Sequence, residues 1–272
     1  MNYRHLYHAG NHADVFKHAI LAQLILHLRL KPKPFVVIDT HAGLGRYDLL
    51  SVEALKTGEA ADGIGRALGA AMPAAEPFLT IVRGMNPGGG LAVYPGSAAV
   101  ARALLREDDR LVASELHPDD HLTLRRQFRH DPQVAIHHRD GYETLLAFIP
   151  PPERRGLVLI DPPYEERDEP ARLGAALVAA MRKWPTGMFA AWYPVKDRTT
   201  LAPLFAAVDG AGFEGIVAEF LRHEEDGIRF AGSGLVILNP PWHFETTASA
   251  IQSELRDALG APAQKPVRRL RA

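Results

Sequence analysis

Residues 34–45 read PFVVIDTHAGLG, a short apolar run that ends at Asp39 and passes into a turn with glycines at positions 43 and 45. An apolar run of this length, bounded by a proline and a glycine-bearing turn, predicts a fully buried strand. Gly43 has no Cβ, so the backbone of the turn can come close to a ligand. An ordinary tight turn has the same composition, and this segment alone does not distinguish the two.

Further strand candidates follow this run, and helical patterns lie between the earlier ones. The strand candidates lie at 109–118, 133–141, 155–164, 187–195, 213–223 and 233–242, and the clearest helical patterns at 11–30, 117–130 and 170–184. Asn11 is a suitable N-cap for the first helix. Strands that alternate with helices are typical of an α/β fold with a mostly parallel, doubly wound sheet, so we predict a Rossmann-like fold.

One internal stretch and the C-terminal end differ from this pattern. Residues 51–90 are rich in alanine and glycine and close with NPGGG, and we interpret them as a small helical insertion. The core is then made of residues 1–50 and 91–250. Residues 251–272 end in KPVRRLRA, and we interpret them as a polar, basic C-terminal tail.

Composition limits the classes of function. With 272 residues and 47% hydrophobic content, the chain can form one large core. It contains no cysteine, which excludes disulfides and thiolate chemistry. No run of eighteen apolar residues and no apolar leader is present, so we expect a cytoplasmic monomer with no membrane contact. The net charge of −1 is not the basic balance of a strong nucleic-acid binder.

Polar residues follow several of the predicted strands at the edge where ligands of doubly wound sheets bind. Glu115 ends one strand, and its carboxylate is suited to the two hydroxyls of a ribose. Asp140 and Gly141 end the next, where the carboxylate can accept a hydrogen bond from an amino group. Ser97 follows Gly96 at the start of a helix. Two of these sites have an ordinary alternative: Glu115 can be a surface acid, and Ser97 can be a helix N-cap.

The fourth of the predicted strands ends in Asp161-Pro162-Pro163-Tyr164, which is the most informative motif. Two prolines fix φ and have no amide hydrogen, so the turn presents only acceptors, the Asp161 carboxylate and the Pro162 carbonyl. Two acceptors suit an aromatic amino group, whose lone pair they direct towards an electrophilic methyl group. Tyr164 offers a ring on which a base can stack. We therefore predict Asp161, Pro162 and Tyr164 to be catalytic.

Asn239-Pro240-Pro241-Trp242 repeats the same form on the last strand. The last strand of such sheets usually lies away from the cofactor, so we favour Asp161 over Asn239 as the catalytic residue.

Taken together, the segments YRHLYHAGNHADVFKH, IDTHAGLGRY, YPGS, ELHP, RRGLVLIDPPYE, WYPV and LNPPW resemble the bacterial 23S ribosomal RNA adenine-N6 methyltransferases of the RlmJ type, which are D-P-P-Y class I methyltransferases. The resemblance runs in order from residue 3 to about residue 245. It implies a class I methyltransferase fold with a helical insertion, S-adenosylmethionine as methyl donor, and free 23S rRNA as the preferred substrate.

The resemblance also implies roles for individual residues. Asp161 would be catalytic and Tyr3 would help to position the substrate. The residues expected to line the donor site are Lys17, His18, His41, Gly43, Ser97, Glu115, Asp140, Gly141 and Asp161. The acidic segment LRHEEDGIRFAGS and the residues after 245 depart from the pattern, which leaves RNA contacts in those regions open.

Other interpretations compete with this one. His8 and His12 have a spacing that zinc ligands use on a helix, but His8 precedes the helix and no cysteine is available, so we expect no metal. A DNA adenine-N6 methyltransferase would share the catalytic centre and differ in its substrate. A nicotinamide-dependent oxidoreductase would carry G-x-G-x-x-G, which is absent here. A non-catalytic RNA-binding protein with the same fold is a third alternative.

Overall fold

The computed structural model describes residues 5–270. Its strands are β1 (Val36–Asp39), β2 (Arg46–Asp48), β3 (Val93–Pro95), β4 (Arg110–Glu115), β5 (Val134–His138), β6 (Gly156–Ile160), β7 (Met188–Val195), β8 (Gly215–Leu221), β9 (Gly232–Leu238) and β10 (Arg268–Arg269). Its α-helices are α1 (His12–Arg29), α2 (Val52–Thr57), α3 (Arg66–Leu68), α4 (Glu76–Met85), α5 (Ser97–Leu104), α6 (Pro118–Phe128), α7 (Gly141–Ala147), α8 (Glu169–Lys183), α9 (Ala202–Gly210) and α10 (Phe244–Leu259).

Eight strands form one sheet in the order β10-β8-β9-β7-β6-β1-β4-β5. The five strands from β7 to β5 are parallel, whereas β9 pairs antiparallel with β7 and with β8, and β10 pairs antiparallel with β8. This mixed but mostly parallel sheet confirms the predicted α/β fold. The carboxyl ends of β1, β4, β5 and β6 therefore meet at one edge of the sheet.

Helix α1 is the centre of the apolar layer on one side of the sheet. Phe16, Ile20 and Leu24, four residues apart, are completely buried. The predicted cap is present, since Asn11 accepts a hydrogen bond from the amide of Asp14. Because α4, α5 and α10 also pack against α1, the helix is buried on nearly every side, including at polar positions near its start. Helix α8 belongs to the layer on the other side.

A small hairpin that the sequence analysis does not predict brings two distant segments together. Strand β2 follows the glycine turn and pairs antiparallel with β3, some 45 residues later. The amide of Gly96 donates to the carbonyl of Gly45 at 2.8 Å. Ser97 is thereby placed beside the glycine turn, and residues 51–90, which contain α2, α3 and α4 and a π-helical turn at Ala61–Gly65, leave and return through this hairpin.

The C-terminal region differs from the predicted tail. Residues up to Leu259 belong to α10, which buries Ile251, Leu255 and Leu259 one turn apart against the core. Strand β10 then pairs with β8. The basic side chains there are held by acids, for example Arg269 by Glu245 at 2.6 Å. Residues 251–270 are thus folded onto the core.

Within residues 5–270, no helix is both long and apolar enough to span a lipid bilayer.

Candidate active site

The carboxyl ends of the parallel strands line a cavity of about 540 Å³. His41 follows β1, Glu115 ends β4, Asp140 follows β5 and Asp161 follows β6, and all four side chains face this cavity. A volume of this size is typical of sites that enclose a small molecule.

The structure brings the residues singled out from the sequence to this one place. Of the residues predicted from the sequence, those that line the cavity are Lys17, His18, His41, Gly43, Ser97, Glu115, Asp140, Gly141, Asp161, Pro162 and Tyr164. Tyr3 lies outside the described residues. Proximity to the cavity is a structural finding, whereas the role of each residue stays a prediction.

Glu115 is held in place by the backbone around it. One carboxylate oxygen accepts from the amide of Gly43 at 2.9 Å and the other from the amide of His117 at 2.7 Å. Burial raises the pKa of Glu115 above its ordinary value, although both amides act in the opposite direction. Each oxygen keeps a further lone pair, so the fixed carboxylate can accept hydrogen bonds from two hydroxyls.

Asp140 caps α7 and also binds an arginine. Its side chain accepts from the amides of Tyr142 and Glu143, at 2.9 and 3.1 Å, and Arg172 lies 3.2 Å away. Gly141 is required beside it, because a Cβ there would lie 2.3 Å from the ring of His41. Backbone and ring are thus in close contact at the floor of the cavity.

Asp161 is part of an ion network with α1. Lys17 donates to Asp161 at 2.6 Å and to Asp14 at 2.9 Å, and His5 Nε2 lies 2.8 Å from the other oxygen of Asp14. Lys17 and Asp14 are 4% and 2% exposed. Burial acts to raise the pKa of Asp14, but the charges of His5 and Lys17 hold it well below its ordinary value. Burial acts to lower the pKa of Lys17, but the two carboxylates raise it. Lys17 is therefore an ammonium at neutral pH.

The acceptors of the proline corner stay open. Lys17 binds Oδ2 of Asp161, while within residues 5–270 neither Oδ1 of Asp161 nor the carbonyl oxygen of Pro162 accepts a hydrogen bond. Tyr164 has a positive φ of 53°, a conformation that bulky residues rarely adopt and that is often kept at functional sites. Asp161 and Pro162 both line the cavity, and these two oxygens have no hydrogen-bond donor within the described residues.

Aromatic side chains line the part of the cavity next to this corner. The rings of Tyr164 and Trp192 meet edge to face with centroids 5.8 Å apart, and the Tyr164 hydroxyl donates to the carbonyl of Trp192 at 3.3 Å. Phe230 also lines the cavity. A flat heterocycle finds stacking surfaces here.

Sequence reasoning missed several lining residues, among them Asp14, Glu59, Arg172, Trp192 and Phe230. Trp192 lies within β7, three residues before its last residue, so the strand-end signal that identified Glu115 does not mark it. Glu59 belongs to the inserted segment and holds His8 and Asn11 at 2.9 and 3.0 Å. No local sequence pattern predicts that contact.

The second proline motif lies elsewhere. Strand β9 runs antiparallel to β7, and Leu238 pairs with Phe189, so Asn239 lies beside the start of β7. Its amide donates to the carbonyls of Pro185 and Gly187. The two motifs therefore stand at opposite edges of the sheet, as expected from their order along the chain.

Three histidines, the buried His18 and the half-buried His12 and His41, are held in the neutral form. Burial is the main reason that the pKa values of His18 and His41 fall to about 3 and about 4, and that of His12 to about 4. Within residues 5–270, no cluster of three or more potential ligands is arranged to hold a metal ion.

We expect stability to fall as the pH decreases from 7 towards 4. Below pH 6.5 the unfolded chain binds protons on these histidines that the folded chain does not, so unfolding becomes easier. Asp39 acts in the opposite direction, because burial raises its pKa to about 7 and acid then favours the folded form. In urea titrations at pH 7, 6 and 5, a His18→Phe variant should show a shallower pH dependence than the parent. An unchanged slope would exclude His18 as a contributor.

Comparisons with known proteins identify the family of the chain. Residues 32–269 match the family described as ribosomal RNA large subunit methyltransferase D, RlmJ. Proteins named ribosomal RNA large subunit methyltransferase J from Escherichia coli and Haemophilus influenzae are 41% and 40% identical, each over 95% of this chain and 94% of the relative. The crystal structure of protein LPL1258 from Legionella pneumophila is 32% identical with a TM-score of 0.86, over 93% of this chain and 96% of that one. The chain belongs to the ribosomal RNA large subunit methyltransferase D, RlmJ, family.

Proposed function

We propose that this protein transfers a methyl group from S-adenosylmethionine to the exocyclic N6 of an adenine in 23S rRNA, with free rRNA preferred over the assembled ribosome. The observation that carries the proposal is the Asp161-Pro162 corner, with two open acceptors at the rim of a cavity of about 540 Å³. The substrate class follows from the family and from relatives named for rRNA methylation. We expect the enzyme to act as a cytoplasmic monomer.

The residues of the cavity fit the donor. Glu115, fixed by two backbone amides, is suited to the ribose hydroxyls, and Asp140 to an amino group of the adenine. At Gly43 and Gly141 a Cβ would collide with Tyr47 and His41, so glycine is needed for the close packing of the backbone around the cavity. His41, Ser97 and the buried start of α1, with Lys17 and His18, complete the lining. When bound, S-adenosylmethionine supplies an electrophilic methyl group.

The chain's own groups align the target nitrogen. Oδ1 of Asp161 and the carbonyl of Pro162 accept one hydrogen bond each from the two N–H groups of N6, which aims the nitrogen lone pair out of the ring plane. Positive charge develops on the nitrogen during attack, and the Asp161 carboxylate stabilises it. Lys17 donates to the other oxygen of the carboxylate and orients it. No covalent enzyme intermediate is required.

The base must leave its strand to reach this corner. Tyr164 and Trp192 supply apolar ring surface that offsets part of the cost of unstacking, at about 1–3 kcal/mol for each stacked base. Tyr3, which resemblance associates with the substrate, belongs to the same proposal. After transfer, the surplus proton on nitrogen passes to Oδ1 of Asp161 and from there to water.

Radiolabelled donor offered to free 23S rRNA, assembled subunits and duplex DNA tests the substrate. We expect label in free rRNA, on an adenine that digestion and mass spectrometry identify as N6-methyladenosine. Label in duplex DNA instead would make the protein a DNA adenine methyltransferase. Tight donor binding with no methylated base in any of them would favour a non-catalytic RNA-binding protein.

Gly141→Ala is expected to weaken donor binding about tenfold or more, because a Cβ would meet the His41 ring at 2.3 Å and the carbonyl of Thr40 at 2.7 Å. Gly84→Ala is the matched control, since a Cβ at that helical glycine meets no atom within 4 Å. Calorimetric titration with S-adenosylmethionine measures both. Equal affinities for the two variants would show that the contact does not shape the donor site.

A further inference from the structure

A second cleft, of about 690 Å³, lies at the opposite edge of the sheet from Asp161, beside the starts of β6 and β7. Four cationic side chains, Lys31, Lys33, Arg154 and Arg155, line it. The Asn239-Pro240-Pro241 corner forms part of its wall. The methyl-transfer site uses none of these residues.

The cleft is positively charged. In the described part of the chain, no acid pairs with Lys31, Lys33 or Arg154, and all three are exposed. Glu153, the acidic residue among those lining the cleft, is held by Arg110 at 2.5 Å. Burial and then the nearby cations lower the pKa values of both Arg155 and His27. The field in the cleft therefore favours an anion.

An exposed aromatic residue directly follows the wall of the cleft in the chain. Trp242 follows Pro241 directly and is 82% exposed, which is unusual for the largest apolar side chain. Its backbone is firmly held, because two prolines precede it and the Asn239 amide donates to the carbonyls of Pro185 at 2.6 Å and Gly187 at 2.8 Å. Arg154, Asn239 and His243, at or beside the cleft, all have positive φ. Backbone of this kind persists where the surroundings over-determine it and is frequent at ligand sites.

We propose that this cleft is a second contact site for the RNA substrate, in which a single-stranded segment places phosphates on Lys31, Lys33 and Arg154 and stacks a base on Trp242. The choice of RNA rests on the proposed function. The combination favours nucleic acid over an acidic protein segment, because one strand supplies both groups in regular alternation, phosphates for the cations and flat bases that stack on the ring. The contact also explains how a chain with a net charge of −1 holds an anionic polymer.

The position of the cleft sets the length of RNA required. The five residues of β6 separate Gly156, in the cleft wall, from Asp161, which is a distance of about 17 Å through the sheet. A path around the surface is longer, so an RNA bound at both sites needs more than about five stacked nucleotides at about 3.4 Å each. The cleft should therefore affect affinity for long RNA and leave the chemical step unchanged.

Fluorescence anisotropy with a labelled oligouridylate of about twenty nucleotides probes the cleft directly, since this RNA contains no target adenine. Trp242→Ala should weaken binding about tenfold, while Trp242→Phe keeps most of the affinity because it keeps a stacking face. Lys31→Ala with Lys33→Ala should reduce the slope of log affinity against log salt by about 1.4. All these side chains are exposed, so the variants should fold.

A charge-matched control removes Arg66 and Arg256, which are partly exposed cations paired with Asp62 and Asp257. This double variant should bind the oligouridylate as the parent does. Equal losses in the control and the Lys31/Lys33 variant would overturn the proposal, since net charge alone would explain them. Trp242→Ala binding with parental affinity would overturn it as well. The proposal would also be overturned if poly-glutamate bound as tightly as the RNA, because the cleft would then be a binding site for an acidic protein segment.

Methyl transfer to 23S rRNA, measured on the same variants, separates this inference from the proposed function. Cleft variants should raise KM for a long rRNA fragment and leave kcat and donor affinity as in the parent. If every cleft variant transfers methyl groups and binds RNA as the parent does, the proposed second contact site is wrong, while the proposed methyltransferase function is unaffected. If methyl transfer is absent but RNA binding still depends on Trp242, the proposed methyltransferase function is wrong and the second RNA contact site is supported.

Discussion

Replacement of Asp161 by alanine is expected to lower kcat for methyl transfer by about a thousandfold or more, with donor affinity within a few-fold of the parent. The side chain supplies one of the two acceptors that align the amino group and the negative charge that offsets the charge developing on nitrogen. Lys17 keeps its second partner, Asp14 at 2.9 Å, so the fold should persist.

Asp161→Asn separates the two contributions of this side chain. The amide keeps an acceptor oxygen but has no charge, and we expect transfer to stay well below the parent. Single-turnover assays at saturating donor and RNA measure the chemical step, and Glu107→Ala, which removes an exposed acid far from the cavity, is the control. Near-parental transfer by Asp161→Ala would contradict the assignment.

The strand ends could be predicted from the sequence because their physical signal is local. A buried parallel strand is an apolar run, and its carboxyl end is where a sheet of this kind binds ligands. Glu115, Asp140 and Asp161 each follow such a run, so their convergence on one cavity follows from topology. Strand order is also the reason to prefer Asp161 over Asn239 as the catalytic residue. Because β9 runs antiparallel to β7, the Asn239 motif lies at the edge of the sheet opposite the cavity.

Contacts between distant segments could not be predicted in this way. Lys17 and Asp161 are 144 residues apart, and only the packing of α1 beside β6 brings the ammonium to the carboxylate. The β2–β3 hairpin has three residues in each strand, too few for an alternating pattern to be distinguished from a loop.

The C-terminal helix is a different case, because its signal was present. Ile251, Leu255 and Leu259 are spaced four apart and form one apolar face of α10. Polar residues between them dominate the composition, and composition alone led to the interpretation of a tail. Periodicity is the better guide in such segments.

Replacement of Lys17 by methionine is expected to destabilise the fold by about 3–5 kcal/mol and to reduce methyl transfer strongly. Methionine fills most of the volume but leaves the buried Asp14 and the mostly buried Asp161, 2% and 16% exposed, without their shared cation. In the parent, the lowered pKa of Asp14 contributes stability above its unfolded pKa of 3.8, which acid removes.

The pH dependence of this variant distinguishes lost charge compensation from lost packing. Without Lys17, burial should raise the pKa of Asp14, so the deficit relative to the parent should shrink as the pH falls. Adding Asp14→Asn to Lys17→Met should then recover part of the stability at neutral pH, because one uncompensated charge is removed. Urea unfolding at pH 7.5 and pH 5 measures both effects. A deficit independent of pH and not reduced by Asp14→Asn would show that Lys17 contributes through packing, with no role for its charge.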